Sequence, residues 1–312
     1  MIILMTDILM AVFNGEEFLS VQIESILAQT AGDWHLYICD DCSSDRSFNI
    51  ARGYGERFPD LITVSRNSAP TGLACANFMG MLKKSKSDYV MFSDQDDFWH
   101  SDKIKLTLEK MKELETEHGS SPLLVHTELE IADSELNVTA PSFTRFQGLD
   151  PSKKTLNRLL CQNNITGCTV MMNRALAGIV KDAPPDKMLM HDWWAGLAAA
   201  AFGQIGFVDK PTVKYRQHGG NQLGAVNNRS LKGAANIVRD RLRTQKRVSV
   251  TYSQAERFYE HYRDLFDEKS RAVLEKYIDI PNHSKPVRAA RLMKNGFLKQ
   301  NFMTAAGQII FC

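Results

Sequence analysis

The chain predicts an α/β fold, a Rossmann-like and mostly parallel sheet flanked by helices, with a helical extension at the C-terminal end. Three observations carry this. Short apolar runs alternate with stretches of helical periodicity through the N-terminal half, the pattern of βα units. Two of the runs end in clustered aspartates, and the carboxyl ends of strands are where open α/β sheets bind ligands. Beyond about residue 227 only helical periodicity remains, so the expected organisation is a domain over 1–226 and an extension over 227–312.

Ile8 to Phe13 is the first strand, turned by Asn14-Gly15. Leu19, Ile23, Ile26 and Leu27 then recur with helical spacing, with Glu16 and Glu17 in the first turn of that helix. His35 to Cys39 is a second strand and ends in Asp40-Asp41. Ser43-Ser44-Asp45 is placed to cap a helix through Ile50 and Tyr54. Leu61 to Val64 gives a third strand, and Thr71-Gly72-Leu73 opens a helix through Phe78 and Leu82. Tyr89 to Ser93 is a fourth strand and leads into Asp94-Gln95-Asp96-Asp97. A helix follows from about Asp102, its expected cap, to Glu117, with Ile104, Leu108 and Met111 on one face. Leu123 to Ile131 is strand-like, 133–137 reads as a turn, and 163–169 is a polar loop before Val170-Met171-Met172. His191-Asp192 opens an alanine-rich helix, and Gly206 to Val213 is a last strand with Pro211 near its end.

With 312 residues, 44% hydrophobic and 24% charged, the composition is that of an ordinary globular protein. No stretch approaches the ~20 apolar residues of a bilayer span. Met1 to Val12 lacks a basic leader and a small-residue cleavage site, so it reads as a buried strand and the expected compartment is the cytoplasm. The six cysteines form no paired framework, and the lone Cys39-x-x-Cys42 has no second ligand pair for zinc. Residues 227–312 hold 17 Lys and Arg against 8 Asp and Glu, a balance of +9 inside a chain whose net charge is +2. A basic tail on an acidic body points to an anionic partner, or else to a solvated helical face. No zinc finger or RNA-binding motif supports nucleic acid as that partner.

The chemistry concentrates at strand ends. Asp94 and Asp96 offer hard oxygen ligands of the kind that hold Mg²⁺ or Mn²⁺ together with substrate phosphates; the bland alternative is a polar loop. Asp41 is placed either to accept the imide N–H of a uracil or thymine, or to satisfy its own loop. Asp192 is a general-base candidate at a helix start, where a simple charge–dipole contact is equally expected. Trp99, Trp193 and Trp194 are candidates for an acceptor-side apolar platform, and each is also a natural core residue. His218 precedes Gly219-Gly220, which would let the backbone approach a phosphate or metal.

In this order the motifs resemble those of the family 2 glycosyltransferases, which have the GT-A fold. The resemblance rests on Ala11-Val12-Phe13-Asn14-Gly15, Ser25 to Thr30, Ile38 to Asp45, Asn67 with Gly72 and Asn77, Phe92 to Asp97, His191 to Trp194, and Tyr215 to His218. It covers roughly residues 6–222, and the last three motifs are most similar to those of bacterial rhamnosyltransferases of surface polysaccharides. The resemblance implies that Asp41 reads the base, that Ala11 and Phe13 line its pocket, and that Asn67, Thr166 and Gly167 lie on the nucleotide-sugar side. It also implies that Asp94 and Asp96 form the metal–diphosphate motif, that His218 completes the metal shell, and that Asp192 is the base. Two departures stand out. Cys42 replaces a common glycine, and His191 replaces a common glutamate.

The expected function is therefore an inverting, Mg²⁺- or Mn²⁺-dependent transfer of rhamnose or a hexose from a dTDP- or UDP-sugar to a saccharide or lipid-linked acceptor. A sugar-phosphate nucleotidyltransferase would want a basic, glycine-rich phosphate loop after the first strand, where this chain has Asn14-Gly15-Glu16-Glu17. A non-catalytic nucleotide-sugar-binding protein is the other alternative, against which Asp94, Asp96 and Asp192 stand together. For the tail, with Lys285, Arg288, Arg291, Lys294 and Lys299, the expectation is peripheral contact with an anionic membrane, set against intramolecular packing or a homodimer contact.

Overall fold

A computed structural model of the chain describes residues 5–219 and 241–312. The expected boundary at 226/227, Gly220 and the first four residues lie outside the described residues.

Nine strands form one sheet in the order β3-β2-β1-β4-β8-β6-β9-β5, with β7 paired to β6. They are β1 (Thr6–Val12), β2 (Trp34–Asp40), β3 (Ile62–Arg66), β4 (Tyr89–Ser93), β5 (Phe98–Trp99), β6 (Leu123–Ala132), β7 (Val138–Ala140), β8 (Met171–Asn173) and β9 (Gln204–Arg216). The helices in the first half are α1 (Leu19–Leu27), α2 (Ser47–Arg57), α3 (Ala74–Leu82) and α4 (Lys103–His118). Then come α5 (Phe143–Gln147), α6 (Leu156–Leu159), α7 (Arg174–Val180) and α8 (His191–Phe202). The C-terminal helices are α9 (Arg241–His261), α10 (Glu268–Ile278), α11 (Lys285–Lys294) and α12 (Phe302–Phe311).

The β3-β2-β1-β4 half is wholly parallel, as the βα alternation predicts. The other half is mixed: β8 runs antiparallel to both β4 and β6, while β6 and β9 pair in parallel. Pro211 sits inside β9, opposite Glu128 and just past a bulge where the pairing with β6 jumps from Val208 to Pro211, the kind of place where a strand tolerates proline. The strand then continues to Arg216, past the expected end at Val213.

Alternation along β1 divides the core. Ile8 and Met10 face a cluster with Ile23, Leu36, Ile38, Trp99 and Met111, under α1, α2 and α4. Leu9 faces the other cluster, with Phe78, Phe92, Met172 and Trp194. That second cluster also takes in Ala255, Phe258, Tyr262, Tyr277 and Phe297, so the basic C-terminal helices bury their apolar side against the sheet domain. Among the described residues, no helix is long and apolar enough to cross a membrane.

Two expected caps work differently. Asp102 occupies the position before α4 but makes no capping bond; its carboxylate meets Lys210 Nζ at 2.5 Å. Glu16 and Glu17 precede α1 instead of lying in it, and Glu16 accepts from Arg46 Nε at 3.1 Å. Asp45 does serve α2, its Oδ1 accepting from Ser47 N at 2.9 Å.

Candidate active site

The parallel register sets β1, β2 and β4 side by side, with Val12 opposite Asp40 and Met10 opposite Ser93. Phe13, Asp41 and Asp94 therefore leave the sheet along one carboxyl edge. Asp41 N donates to Val12 O at 2.8 Å, which ties the first two strand ends together.

The motif after β4 gives each of its four residues a separate task. Gln95 clamps the backbone of Phe13, its Oε1 accepting from Phe13 N at 2.8 Å and its Nε2 donating to Phe13 O at 2.9 Å. It lies so close to Gly15 that a Cβ there would fall 2.4 Å from the amide carbon. A side chain at position 15 would have to push Gln95 out of this clamp. Asp96 Oδ2 meets His218 Nε2 at 2.8 Å, and the His218 ring centroid lies 4.6 Å from that of Phe18. Asp97 is fully buried and its Oδ1 accepts from Arg216 N at 3.2 Å, while Arg216 Nε donates to Asp96 O at 2.7 Å. Asp94 stands half-buried at the rim, where its carboxylate, that of Asp97 and the Cys168 thiol have ligand atoms within 4.8 Å of one another.

Beneath these carboxylates lies Lys103, fully buried, its Nζ 4.7 Å from the Trp99 ring centroid and without a hydrogen-bond partner. Burial pulls its pKa down to about 8, and the nearby Cys168 and Asp97 act in the opposite direction. Asp97 is held well above the usual carboxylate range by burial and by the charges of Asp96 and Asp94. Asp94 is raised as well, by confinement first and then by Asp96 and Asp192.

Asp192 enters from α8, in the first turn, where the helix dipole favours a carboxylate. It is 7% exposed. Its Oδ1 accepts from Trp193 N at 2.5 Å and from Asn163 Nδ2 at 3.3 Å. Burial dominates these bonds and pushes its pKa up to about 7. Gly167 passes directly over it: a Cβ at that glycine would sit 3.5 Å from Asp192 Oδ2 and 3.1 Å from His191 Nε2. Because Cys168 follows Gly167 and faces Asp94 and Asp97, the 163–169 loop brings the base candidate and the acidic motif to one site. His191, the departure from a common glutamate, is buried and neutral, its pKa pushed by burial to about 3, with its ring stacked 4.3 Å from Phe78.

The structure corrects several expectations. Asp41 is not a free base-reading carboxylate. Its Oδ1 accepts from Asn67 Nδ2 and Thr71 N, and its Oδ2 accepts from Thr71 Oγ1 and Gly72 N, so its acceptor positions are taken by its own neighbourhood. Asn67 is likewise engaged at both ends, its Oδ1 accepting from Cys39 Sγ at 3.4 Å. The pair builds the loop from β3 to α3. Cys42 occupies a left-handed conformation with φ 63°, which explains why a glycine suits that position, and its Sγ donates to Asn67 O.

Trp99 and Trp194 are 1% and 0% exposed and belong to the two cores, so neither presents a platform to an acceptor. Trp194 Nε1 donates to the Tyr262 hydroxyl at 3.1 Å, which pins α8 to α9. Trp193 is half-buried, with Nε1 donating to Leu159 O. Thr166 is half-buried beside Gly167, Ala11 is partly buried against the second core, and Phe13 is 55% exposed at the edge. Gln95, Asn163, Lys103, Cys168 and Arg216 were missed as site residues. Gln95, Asn163, Cys168 and Arg216 carried a signal, since each lies inside a motif or loop already singled out, whereas Lys103 carried none.

A divalent cation suits this donor set. Three carboxylates crowd together with an unpartnered buried oxygen on Asp97, and a histidine sits on Asp96. Added positive charge relieves that repulsion, and oxygen-rich ligands match Mg²⁺ or Mn²⁺.

Known proteins bear on the same features. At 29% identity, the chain is similar to the dTDP-rhamnosyl transferase RfbG of Shigella flexneri over 69% of its own length and 74% of that protein's. It is 28% identical, over 55% of its length and 61% of the other's, to an Escherichia coli protein, the UDP-Glc:alpha-D-GlcNAc-diphosphoundecaprenol beta-1,3-glucosyltransferase WfgD. In fold it resembles S. aureus TarS 1-349 in complex with UDP-GlcNAc, with a TM-score of 0.53 at 15% identity over 98% of this chain and 88% of that one. The mannosyltransferase PcManGT from Pyrobaculum calidifontis, in complex with GDP-Man and Mn²⁺, gives 0.53 at 15% identity over 98% and 84%. The GT-A architecture is thus shared with both. With a sequence profile matched over residues 7–172, more than half its length, the chain belongs to glycosyl transferase family 2.

Proposed function

We propose that the protein is an inverting, metal-assisted glycosyltransferase of bacterial surface polysaccharide synthesis. It moves rhamnose or a hexose from a dTDP- or UDP-linked donor to a saccharide or lipid-linked acceptor, in the cytoplasm. One observation supports this above others: a buried carboxylate with a raised pKa, Asp192, shares a site with the crowded Asp94–Asp97 motif. The activities for which RfbG and WfgD are named suggest the donor classes, and that of WfgD suggests the lipid-linked acceptor.

A base works best when its pKa lies near the working pH, and about 7 meets that condition. Asp192 takes the proton from an acceptor hydroxyl. The acceptor oxygen then bonds to the anomeric carbon as the bond to the diphosphate breaks on the opposite face, which inverts the centre. Asp94, Asp96 and His218 would hold Mg²⁺ or Mn²⁺, which when bound supplies positive charge against the departing nucleotide diphosphate. Asn163 and the Gly167 turn keep Asp192 aimed, and positioning of this kind accounts for much of the barrier lowering.

The test is a panel of nucleotide sugars, scored by thermal stabilisation with and without Mn²⁺ and then by sugar transfer. Stabilisation by a uridine or thymidine diphosphate sugar that vanishes with Asp96→Ala agrees with the proposal. Indifference to every nucleotide sugar rejects it.

A further inference from the structure

The C-terminal helices leave an apolar surface that the proposed transfer does not use. Twelve large apolar side chains are exposed among the described residues, and five of them, Val287, Met293, Phe302, Met303 and Ile310, lie in the last 26 positions. Phe302 is 83% exposed, Ile310 60% and Met293 54%. On α12 the residues Phe302, Met303, Ala306 and Ile310 recur at helical spacing along one face, with Gly307 buried at its edge and Gln308 buried on the opposite side. Solvent is an unfavourable setting for such a stripe, and contiguous exposed apolar area marks an interaction surface.

The charge around it identifies the partner. Residues 281–312 contain Lys285, Arg288, Arg291, Lys294 and Lys299 and no acidic residue. The expected basic face is partly spent within the fold: Arg291 pairs with Asp279 at 2.6 Å, and Arg288 donates to the carbonyls of Pro281 and His283. Lys285 and Lys294 remain exposed on α11, as do Val287 and Met293. We infer that α11 and α12 dock this surface on an anionic lipid membrane, apolar side chains entering the headgroup region and lysines meeting lipid phosphates.

The same segment is wired to the active site. Gln300 Oε1 accepts from Asp150 N at 2.7 Å, Leu298 O accepts from Arg158 at 2.9 Å, and Gln300 N donates to Gln162 Oε1 at 2.9 Å. These bonds clamp the stretch that runs into Asn163 and Gly167. Membrane docking therefore fixes the acceptor side of the site relative to the lipid surface. That consequence rests on the proposed lipid-linked acceptor; docking itself does not.

The experiment is co-sedimentation of the full chain with phosphatidylglycerol-containing vesicles and with pure phosphatidylcholine vesicles, at low and high salt. Binding to the anionic vesicles only, released by salt, is expected. The double variant Phe302→Ser with Ile310→Ser should lower partition at least tenfold. Lys285→Gln with Lys294→Gln should lower it by roughly 25-fold, at about fivefold per basic residue. Both should keep the wild-type melting temperature, since these side chains are exposed. No sedimentation with anionic vesicles, or partition unmoved by either variant, overturns the inference. So does a stable dimer in light scattering that Phe302→Ser disperses, which would make the face a contact between copies. Vesicle binding is read without turnover, so it can fail while sugar transfer stands, and the reverse.

Discussion

Replacing Asp192 with asparagine separates chemistry from stability. The change keeps shape and removes the proton acceptor. Loss of a general base costs about 10²–10⁴ in rate. Nucleotide binding should persist, because Asp94, Asp96 and His218 are untouched. Stability should move the other way. A carboxylate titrating at about 7 rather than 3.8 holds its proton in the folded state while the unfolded chain has lost it. Wild-type stability therefore falls as pH rises from about 4 to 7, and the folded state above pH 7 carries a charge it would shed. At 1.36 kcal/mol per pH decade the ceiling is about 4 kcal/mol. The new amide must also face the Gly167 N–H, so a donor meets a donor, and roughly 1–2 kcal/mol of gain is what remains. At about 2 °C per kcal/mol for a chain of this size, the variant should melt a few degrees above wild type at pH 8.5, with the gap closing toward pH 4. Sugar transfer and differential scanning fluorimetry on the same samples read both effects. Turnover within tenfold of wild type, or a lower melting point at pH 8.5, would refute the reasoning.

Three further outcomes follow from the same geometry. With saturating Mn²⁺, kcat/KM should rise with pH through one inflection, because Asp192 must be ionised to accept a proton and burial raises its pKa above the usual carboxylate value; a profile flat from pH 4.5 to 8 removes it as the base. Gly167→Ala should cut kcat at least tenfold with little change in melting temperature, since the new Cβ comes within 3.1 Å of His191 Nε2 and displaces the loop that lies against Asp192; unchanged kcat shows the loop is not tight there. Lys103→Met should raise stability by roughly 1–3 kcal/mol, because it removes a fully buried ammonium that has no hydrogen-bond partner and whose pKa burial lowers to about 8, seen as a higher urea midpoint; a lower midpoint shows that its charge is needed beside Asp97.

The parallel half of the sheet was legible because each strand there is followed by a helix with its own apolar stripe, as Leu19, Ile23 and Ile26 show. The mixed half was not, because β8 is three residues long and its direction depends on pairing with β4 and β6. Residue type marked Asp94, Asp96, Asp192 and His218, and the fold sets Asp96 against His218 and puts Asp192 in the first turn of α8. It misjudged Trp99 and Trp194, since an aromatic ring beside a motif looks the same whether it lines a cleft or fills a core. Asp41 shows a third limit: a carboxylate at a strand end can serve a ligand or its own loop, and only the positions of Asn67 and Thr71 decide. Lys103 could not be read at all, because its importance lies in burial.

The account depends most on the metal motif and Asp192 sharing one cleft. Paramagnetic relaxation by Mn²⁺, read on the ¹⁵N-labelled indole of Trp193 next to Asp192, tests this directly. Equimolar Mn²⁺ and a nucleoside diphosphate should erase that signal in the wild type and spare it in Asp96→Ala. A Trp193 signal that stays sharp while calorimetry shows the metal–nucleotide complex bound would contradict the account.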